Sequence, residues 1–277
     1  KLSCADASAI GQRAMSYFRV VVGFSATVKP FEYYARLSGF DPERLVTAEF
    51  LSPFPPERRK LLVIPQVTTK FRYREQNYEK IASVINRVVA RKRGNYFAFF
   101  PSFEFLRRCS PFISVPGFRV LKQEAYMSSD DAQAIIESLK EQSRGVIVLG
   151  VQGGIFSEGV DYPGDLLIGA FIIGPGLPAF EFERELLRKY YEGRFGDGFA
   201  YAYVYPGMTR VVQAAGRVIR TEQDRGLIVL MDDRFVQDPY TSLMPSDWLE
   251  SGVDALVSKQ ILTDVDRFWE SGAGDVD

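Results

Sequence analysis

The segment Thr209-Arg-Val-Val-Gln-Ala-Ala-Gly-Arg-Val-Ile-Arg220 concentrates the most chemistry in the chain. Read as one helix at 100° per residue, it brings Arg210, Gln213, Arg217 and Arg220 within an arc of about 80°. Val212, Ala215, Gly216 and Ile219 form a second face. Gly216 is about 1 kcal/mol poorer than Ala inside a helix, so it calls for a packing reason. The segment holds Arg but no Lys, Asp or Glu. Arg is the cation suited to planar, bidentate phosphate contact. A solvated basic face is the bland alternative.

A second segment, Gly150-Val-Gln-Gly-Gly-Ile-Phe-Ser-Glu-Gly-Val-Asp161, directly follows a strong strand pattern. Ligands of parallel sheets bind beyond the carboxyl ends of strands. There Gly153, Gly154 and Gly159 would allow close backbone approach, and Ser157, Glu158 and Asp161 would supply polar contacts. Phe99-Phe-Pro-Ser-Phe-Glu-Phe105 reads as a strand running into a helix, where Ser102 fits either an anion contact or a simple N-cap. Phe97, Phe99, Phe100, Phe103 and Phe105 suit base stacking or a core, and their place in a strand and its helix favours the core. Gly23-Phe-Ser-Ala-Thr27 puts small polar residues after an early apolar run. Gly174-Pro-Gly-Leu-Pro-Ala179 formally fits a dinucleotide fingerprint, but Pro175 and Pro178 lack the N–H groups a pyrophosphate needs.

Composition narrows the chemistry further. The 277 residues contain no histidine, which excludes Ser-His-Asp and Cys-His triads, HExxH sites and histidine-ligated metals within the chain. Cys4 and Cys109 match no CxxC spacing and cannot alone hold zinc or an iron–sulfur cluster, so no metal site is expected. They read as reduced thiols of a cytoplasmic or nucleoid-associated protein, and best of all as small hydrophobes of the core. No signal peptide or membrane-spanning stretch is visible. The formal net charge is −1, yet the charge is segregated. Residues 57–93 carry eleven Lys/Arg against three Asp/Glu, and residues 232–277 carry three against eleven. The basic stretch suits a nucleic-acid face or a solvated helix surface.

Strands are expected at Val20–Phe24, Leu61–Pro65, Tyr96–Phe100, Val146–Val151, Leu167–Ile173 and Leu227–Met231. They are apolar on both faces, as parallel strands covered by helices should be. Helical periodicity marks Asn77–Arg93 through Ile81, Val84, Ile85, Val88 and Val89. Ser128 with Asp131 marks a helix start, and Phe182, Leu186, Leu187 and Tyr190 mark a further helix. Strand alternating with helix predicts an α/β domain with a mostly parallel sheet. Ser52-Pro-Phe-Pro-Pro56 reads as a connector, which divides the chain into 1–56 and 57–277.

Taken in order, these segments resemble the C-terminal motor region of the XPD/DinG family of superfamily-2 DNA helicases. Phe24-Ser-Ala-Thr27 looks like motif III, Phe99-Phe-Pro-Ser102 like motif IV, and Gly154-Ile-Phe-Ser-Glu-Gly-Val-Asp161 like motif V. Gln213-Ala-Ala-Gly-Arg-Val-Ile-Arg220, followed by Asp224-Arg-Gly226 and Asp232-Asp-Arg-Phe235, looks like motif VI and its flank. The resemblance implies a RecA-like domain over 57–277, with residues 1–56 supplying the end of a first motor domain. It implies ATP between two such domains, with Arg217 and Arg220 as arginine fingers and Gln213 positioning the hydrolytic machinery. Gly159 and Asp161 fall on the nucleotide side. Ser157 and Glu158 fall in the coupling region, Ser102 along single-stranded DNA, and Ser25 and Thr27 where hydrolysis couples to movement. The family moves 5′ to 3′ on single-stranded DNA.

No GxxxxGK[ST] occurs, and without histidine there is no DEAH box. The expectation is therefore a piece that begins inside the first motor domain, inactive alone. ATP and Mg2+ would act in the intact protein, with the Mg2+ ligands and any iron–sulfur cluster in the preceding part. The partners implied are single-stranded DNA and that first motor domain. The competing expectation is a non-enzymatic nucleic-acid- or protein-binding module on the same fold.

Overall fold

Runs of Val, Ile, Leu and Phe with no alternation of polar residues must be covered on both faces, and here they form the centre of a three-layer domain. The computed structural model describes residues 4–141, 145–157, 162 and 164–271. Its six strands are β1 (Arg59–Val63), β2 (Asn95–Phe100), β3 (Phe118–Lys122), β4 (Gly145–Val151), β5 (Gly169–Ile173) and β6 (Gly226–Met231). All pair in parallel, in the order β1-β6-β5-β2-β4-β3. The helices are α1 (Ser8–Met15), α2 (Phe31–Ser38), α3 (Tyr78–Val89), α4 (Phe103–Cys109), α5 (Ser129–Ser138), α6 (Phe182–Phe195), α7 (Tyr205–Ala215) and α8 (Ile261–Glu270).

Side chains of each central strand divide between two cores. Phe97, Phe99, Val148, Ile172 and Leu230 pack with Ala132 of α5 and Met208, Val211 and Ala214 of α7. Tyr96, Ala98, Phe100, Leu149 and Val229 pack with Ile81 and Ile85 of α3, Phe105 of α4 and Val265 of α8. Phe97, Phe99, Phe100 and Phe105 are all buried, so their aromatic surface belongs to the core. The capping box expected at Ser128 is present. Its hydroxyl accepts from Asp131 N at 3.1 Å, and the Asp131 carboxylate accepts from Ser128 N at 3.3 Å.

Several expectations are corrected. Val20–Phe24 joins no strand among the described residues, leaving Val20 74% and Phe24 91% exposed. An apolar run becomes a strand only where a neighbouring strand takes up its N–H and C=O groups. The edge strand β3 was not expected, because Phe-Arg-Val-Leu-Lys is half-buried and lacks a long apolar run. Helix α6 forms where expected; Phe182, Leu186 and Tyr190 are exposed, while Leu187 packs with Tyr191 in a small aromatic cluster. The two charged stretches partly neutralise one another. Arg59 pairs with Asp247, Lys70 with Asp233, and Arg91 with Asp266.

Candidate functional site

Parallel topology decides where each candidate lies. The chain leaves β5 at Ile173 and must return to the opposite end of the sheet before β6 begins at Gly226. Helix α7 makes that return, so its start lies near the carboxyl ends of the strands and the Gly216–Thr221 turn lies where β6 starts. The segment after β4 makes a matching return before β5.

At the carboxyl ends, two buried polar side chains tie neighbouring strands together. Gln152 follows β4, is 6% exposed, and donates to Phe99 O at 3.4 Å, Ile173 O at 2.9 Å and Gly174 O at 2.9 Å. It thereby links β4, β2 and β5. Gly174 (φ 75°) and Gly176 (φ 61°) turn the chain over it, and a Cβ at Gly176 would fall 2.2 Å from Gln152 Oε1. The start of the Gly174–Ala179 segment is therefore fitted closely over Gln152. Asp232 follows β6 and is fully buried. Its oxygens accept from Thr69 N and Oγ1, both at 2.7 Å, and from Arg234 N, Nε and Nη2 at 3.0, 2.8 and 3.0 Å. Burial pulls the Arg234 pKa down, but bonding to Asp232 outweighs it and leaves the pKa raised. Beside it, burial favours protonation of Asp233, and the ion pair with Lys70 reverses this, leaving its pKa lowered.

Along α7 the expected arginine stripe is broken. The helix ends at Ala215, and Gly216 is its exposed C-terminal cap rather than a packed position. A Cβ there would meet only Val212 O at 3.3 Å and Gln213 O at 3.6 Å, so no close neighbour requires the glycine. Arg210, on the helix, lies over Gly153 and donates to Gly176 O at 3.4 Å. Arg217 turns back and donates from Nε to Ser157 O at 3.0 Å. Arg220 is exposed, while its backbone N–H donates to Asp224 Oδ2 at 2.6 Å. Gln213 is half-buried on the last turn of the helix.

Arg217 is thus brought to Ser157, while Arg220 is held by Asp224 and Gln213 lies on the last turn of α7. The Ser157 hydroxyl points inward and donates to Gly154 O at 2.9 Å, with the residue 1% exposed. Glu158, Gly159 and Asp161 lie outside the described residues. Ser102 sits at the carboxyl end of β2, the far end of the sheet from the arginine turn. It is the exposed N-cap of α4, accepting from Phe105 N at 3.2 Å. Ser25 and Thr27 lie in the N-terminal segment, bonded to each other at 3.4 Å. Lys29 anchors that segment to the domain through Met244 O at 3.1 Å and Ser246 Oγ at 2.9 Å. The Gln152 and Asp232 clamps were missed in sequence. A polar residue ending each apolar strand was the available signal.

Comparison with known proteins decides the family. A model of the helicase C-terminal domain matches residues 85–251, more than half of the chain. The chain belongs to the helicase C-terminal domain family. This helicase domain is 28% identical over 232 residues to a probable ATP-dependent helicase of Methanocaldococcus jannaschii, covering 78% of the chain and 35% of the relative. It is 23% identical over 274 residues to the general transcription and DNA repair factor IIH helicase subunit XPD of Arabidopsis thaliana, covering 91% and 35%. The chain spans about a third of the length of these relatives. The structure of apo XPD superposes with a TM-score of 0.62 at 19% identity, over 84% of this chain and 47% of that one. That likeness establishes the RecA-like fold of an XPD helicase domain.

The residues present suit part of a nucleotide site. An exposed arginine on a braced turn suits phosphate oxygens. Among the described residues no three His, Cys, Asp or Glu side chains converge as metal ligands, and Cys4 and Cys109 do not fit an iron–sulfur cluster. No helix of the described residues is long and apolar enough to cross a membrane.

Proposed function

We propose that this domain is the second motor half of an ATP-dependent DNA helicase, with Arg217 and Arg220 acting on the phosphates of ATP bound against a first motor domain. The observation that carries this reading is the braced turn. Arg220 is exposed while its backbone N–H is held by Asp224, and Arg217 is docked on Ser157 O. Preorganised cations directed at developing charge are what phosphoryl transfer needs, because catalysis there is mostly positioning and electrostatics. Gln213 would orient the hydrolytic machinery, and Gly159 and Asp161 would border the nucleotide. ATP would bring Mg2+, held by groups outside this chain. Ser157 and Glu158 would couple the nucleotide to single-stranded DNA, with Ser102 along the strand. Residues 1–56, with Ser25 and Thr27, would belong to the first motor domain and its connector, and 57–277 to the second. Movement from 5′ to 3′ rests on the resemblance of the motifs.

The test is turnover in the intact protein. Arg217→Ala and Arg220→Ala should each lower DNA-stimulated ATPase kcat by about 10³-fold, with single-stranded DNA affinity retained. Near-normal turnover in both variants would overturn the proposal.

A further inference from the structure

We propose that Asp224 is a positioning residue that acts through Arg220, an inference that rests on the arginine reading above. The Asp224-Arg-Gly226 segment stands out in sequence, yet no part of the proposed mechanism uses it. Asp224 is 4% exposed. Its Oδ2 accepts from Arg220 N at 2.6 Å and Thr221 N at 2.8 Å. Its Oδ1 accepts from Thr221 Oγ1 at 2.7 Å and from Gly164 N at 3.1 Å. An ionised carboxylate has about four lone-pair sites, and four donors fill them here.

A carboxylate that only closed a turn would need one oxygen and one local donor. Asp224 does more. It holds Arg220 by its main chain, and it ties that turn to Gly164, sixty residues earlier. On the other side of the same turn, the Arg217 side chain holds Ser157 O. Two independent bonds thus join the 217–224 segment to Ser157 and to Gly164. Arg220 is an exposed residue with a long, rotamer-rich side chain. Fixing its Cα removes the backbone freedom that would otherwise spread the positions it reaches.

Positioning and general scaffolding give different kinetics. In the intact protein, Asp224→Ala should lower DNA-stimulated ATPase kcat by about tenfold or more and leave KM for ATP within about threefold. Asp224→Asn keeps the shape and one acceptor oxygen, so its kcat should fall between the two. The deciding measurement is the cycle with Arg220→Ala. If Asp224 acts through Arg220, the double variant should be no more than about threefold slower than Arg220→Ala alone. Should Asp224→Ala fail to fold, the cycle is run with Asp224→Asn, which must slow turnover in the Arg220 background and not in Arg220→Ala. Fully multiplicative losses would overturn the proposal, as would kcat in a folded Asp224 variant equal to that of the unmodified protein. If Arg220→Ala is itself near normal, the arginine reading fails. If Arg220→Ala is slow and Asp224→Ala is not, only the positioning role fails.

Discussion

Replacing Asp232 with alanine tests whether the carboxyl ends of the sheet are held by one buried carboxylate. The side chain is fully buried and receives five hydrogen bonds, two from Thr69 and three from Arg234. The Arg234 side chain, 12% exposed, would lose its counterion with little access to water. Breaking a buried ion pair from one side costs about 3–5 kcal/mol, mostly from the charge left behind. The orphaned Thr69 donors cost about 1–3 kcal/mol more if they stay dry. Such losses overlap, and the 68–70 segment can move into solvent, so about 4 kcal/mol in total is expected. Against a typical domain stability of about 5–15 kcal/mol, that is a large fraction. Urea unfolding at neutral pH, followed by fluorescence of Trp248 and Trp269, measures it directly. Limited trypsin digestion should also cut faster at the exposed Arg72, because Thr69 no longer pins the segment. Asp232→Asn should lose about half as much, since an amide keeps the shape and one acceptor. A loss under about 1 kcal/mol in Asp232→Ala would show that the pair is not a structural tie.

Glu49 should contribute pH-dependent stability. Burial raises its pKa, but bonding to Lys29 and Ser246 outweighs this and leaves it lowered. A carboxyl with a depressed folded pKa stabilises above its unfolded value, about 4.3, and loses that contribution as pH falls through the folded one. The pair is partly exposed, so the difference between the unmodified protein and Glu49→Gln should be below about 1 kcal/mol at pH 7 and shrink as the pH is lowered below about 4.3; a difference that grows with acidification would contradict the assignment. The two thiols should separate by reactivity, because burial pushes the Cys109 thiol up to about 12 while Cys4 is exposed. In the folded protein a thiol reagent at mild alkaline pH should label Cys4 alone, with both labelled in denaturant. Rapid labelling of Cys109 in the folded state would refute the burial.

Five of the six strands were legible because a parallel sheet covered on both sides demands uninterrupted apolar runs, and few other structures do. The same rule missed β3. As an edge strand it needs only half its side chains buried, and Arg119 and Lys122 interrupt the run. It also overread Val20–Phe24, where the side chains suit a strand but no neighbour supplies the ladder. The outward face of α6 failed for a related reason. Periodicity shows that a helix has an apolar stripe, not that the stripe meets the core of its own domain. Leu187 of that stripe and Tyr191, one residue past it, pack in a small aromatic cluster with Tyr201 and Phe195.

The candidate site was legible in residue type and only partly in geometry. A helix running through Arg220 would present Arg210, Gln213, Arg217 and Arg220 as one stripe, and one stripe would do one thing. Ending α7 at Ala215 divides the work. Arg210 stays on the helix and packs over Gly153 and Gly176, at the carboxyl ends of β4 and β5. Arg217 folds back onto Ser157, and Arg220 projects from a turn that Asp224 holds. Helical spacing cannot reveal this division, because every residue from Thr209 to Arg220 except Gly216 is tolerated in a helix interior. Asp224 takes up the N–H groups of Arg220 and Thr221, and a continuing helix would have bonded those groups to carbonyls four residues back. The acidic residue just beyond the motif therefore holds the turn that carries its last arginine. That is why its removal should be felt first at Arg220 rather than in the stability of the sheet.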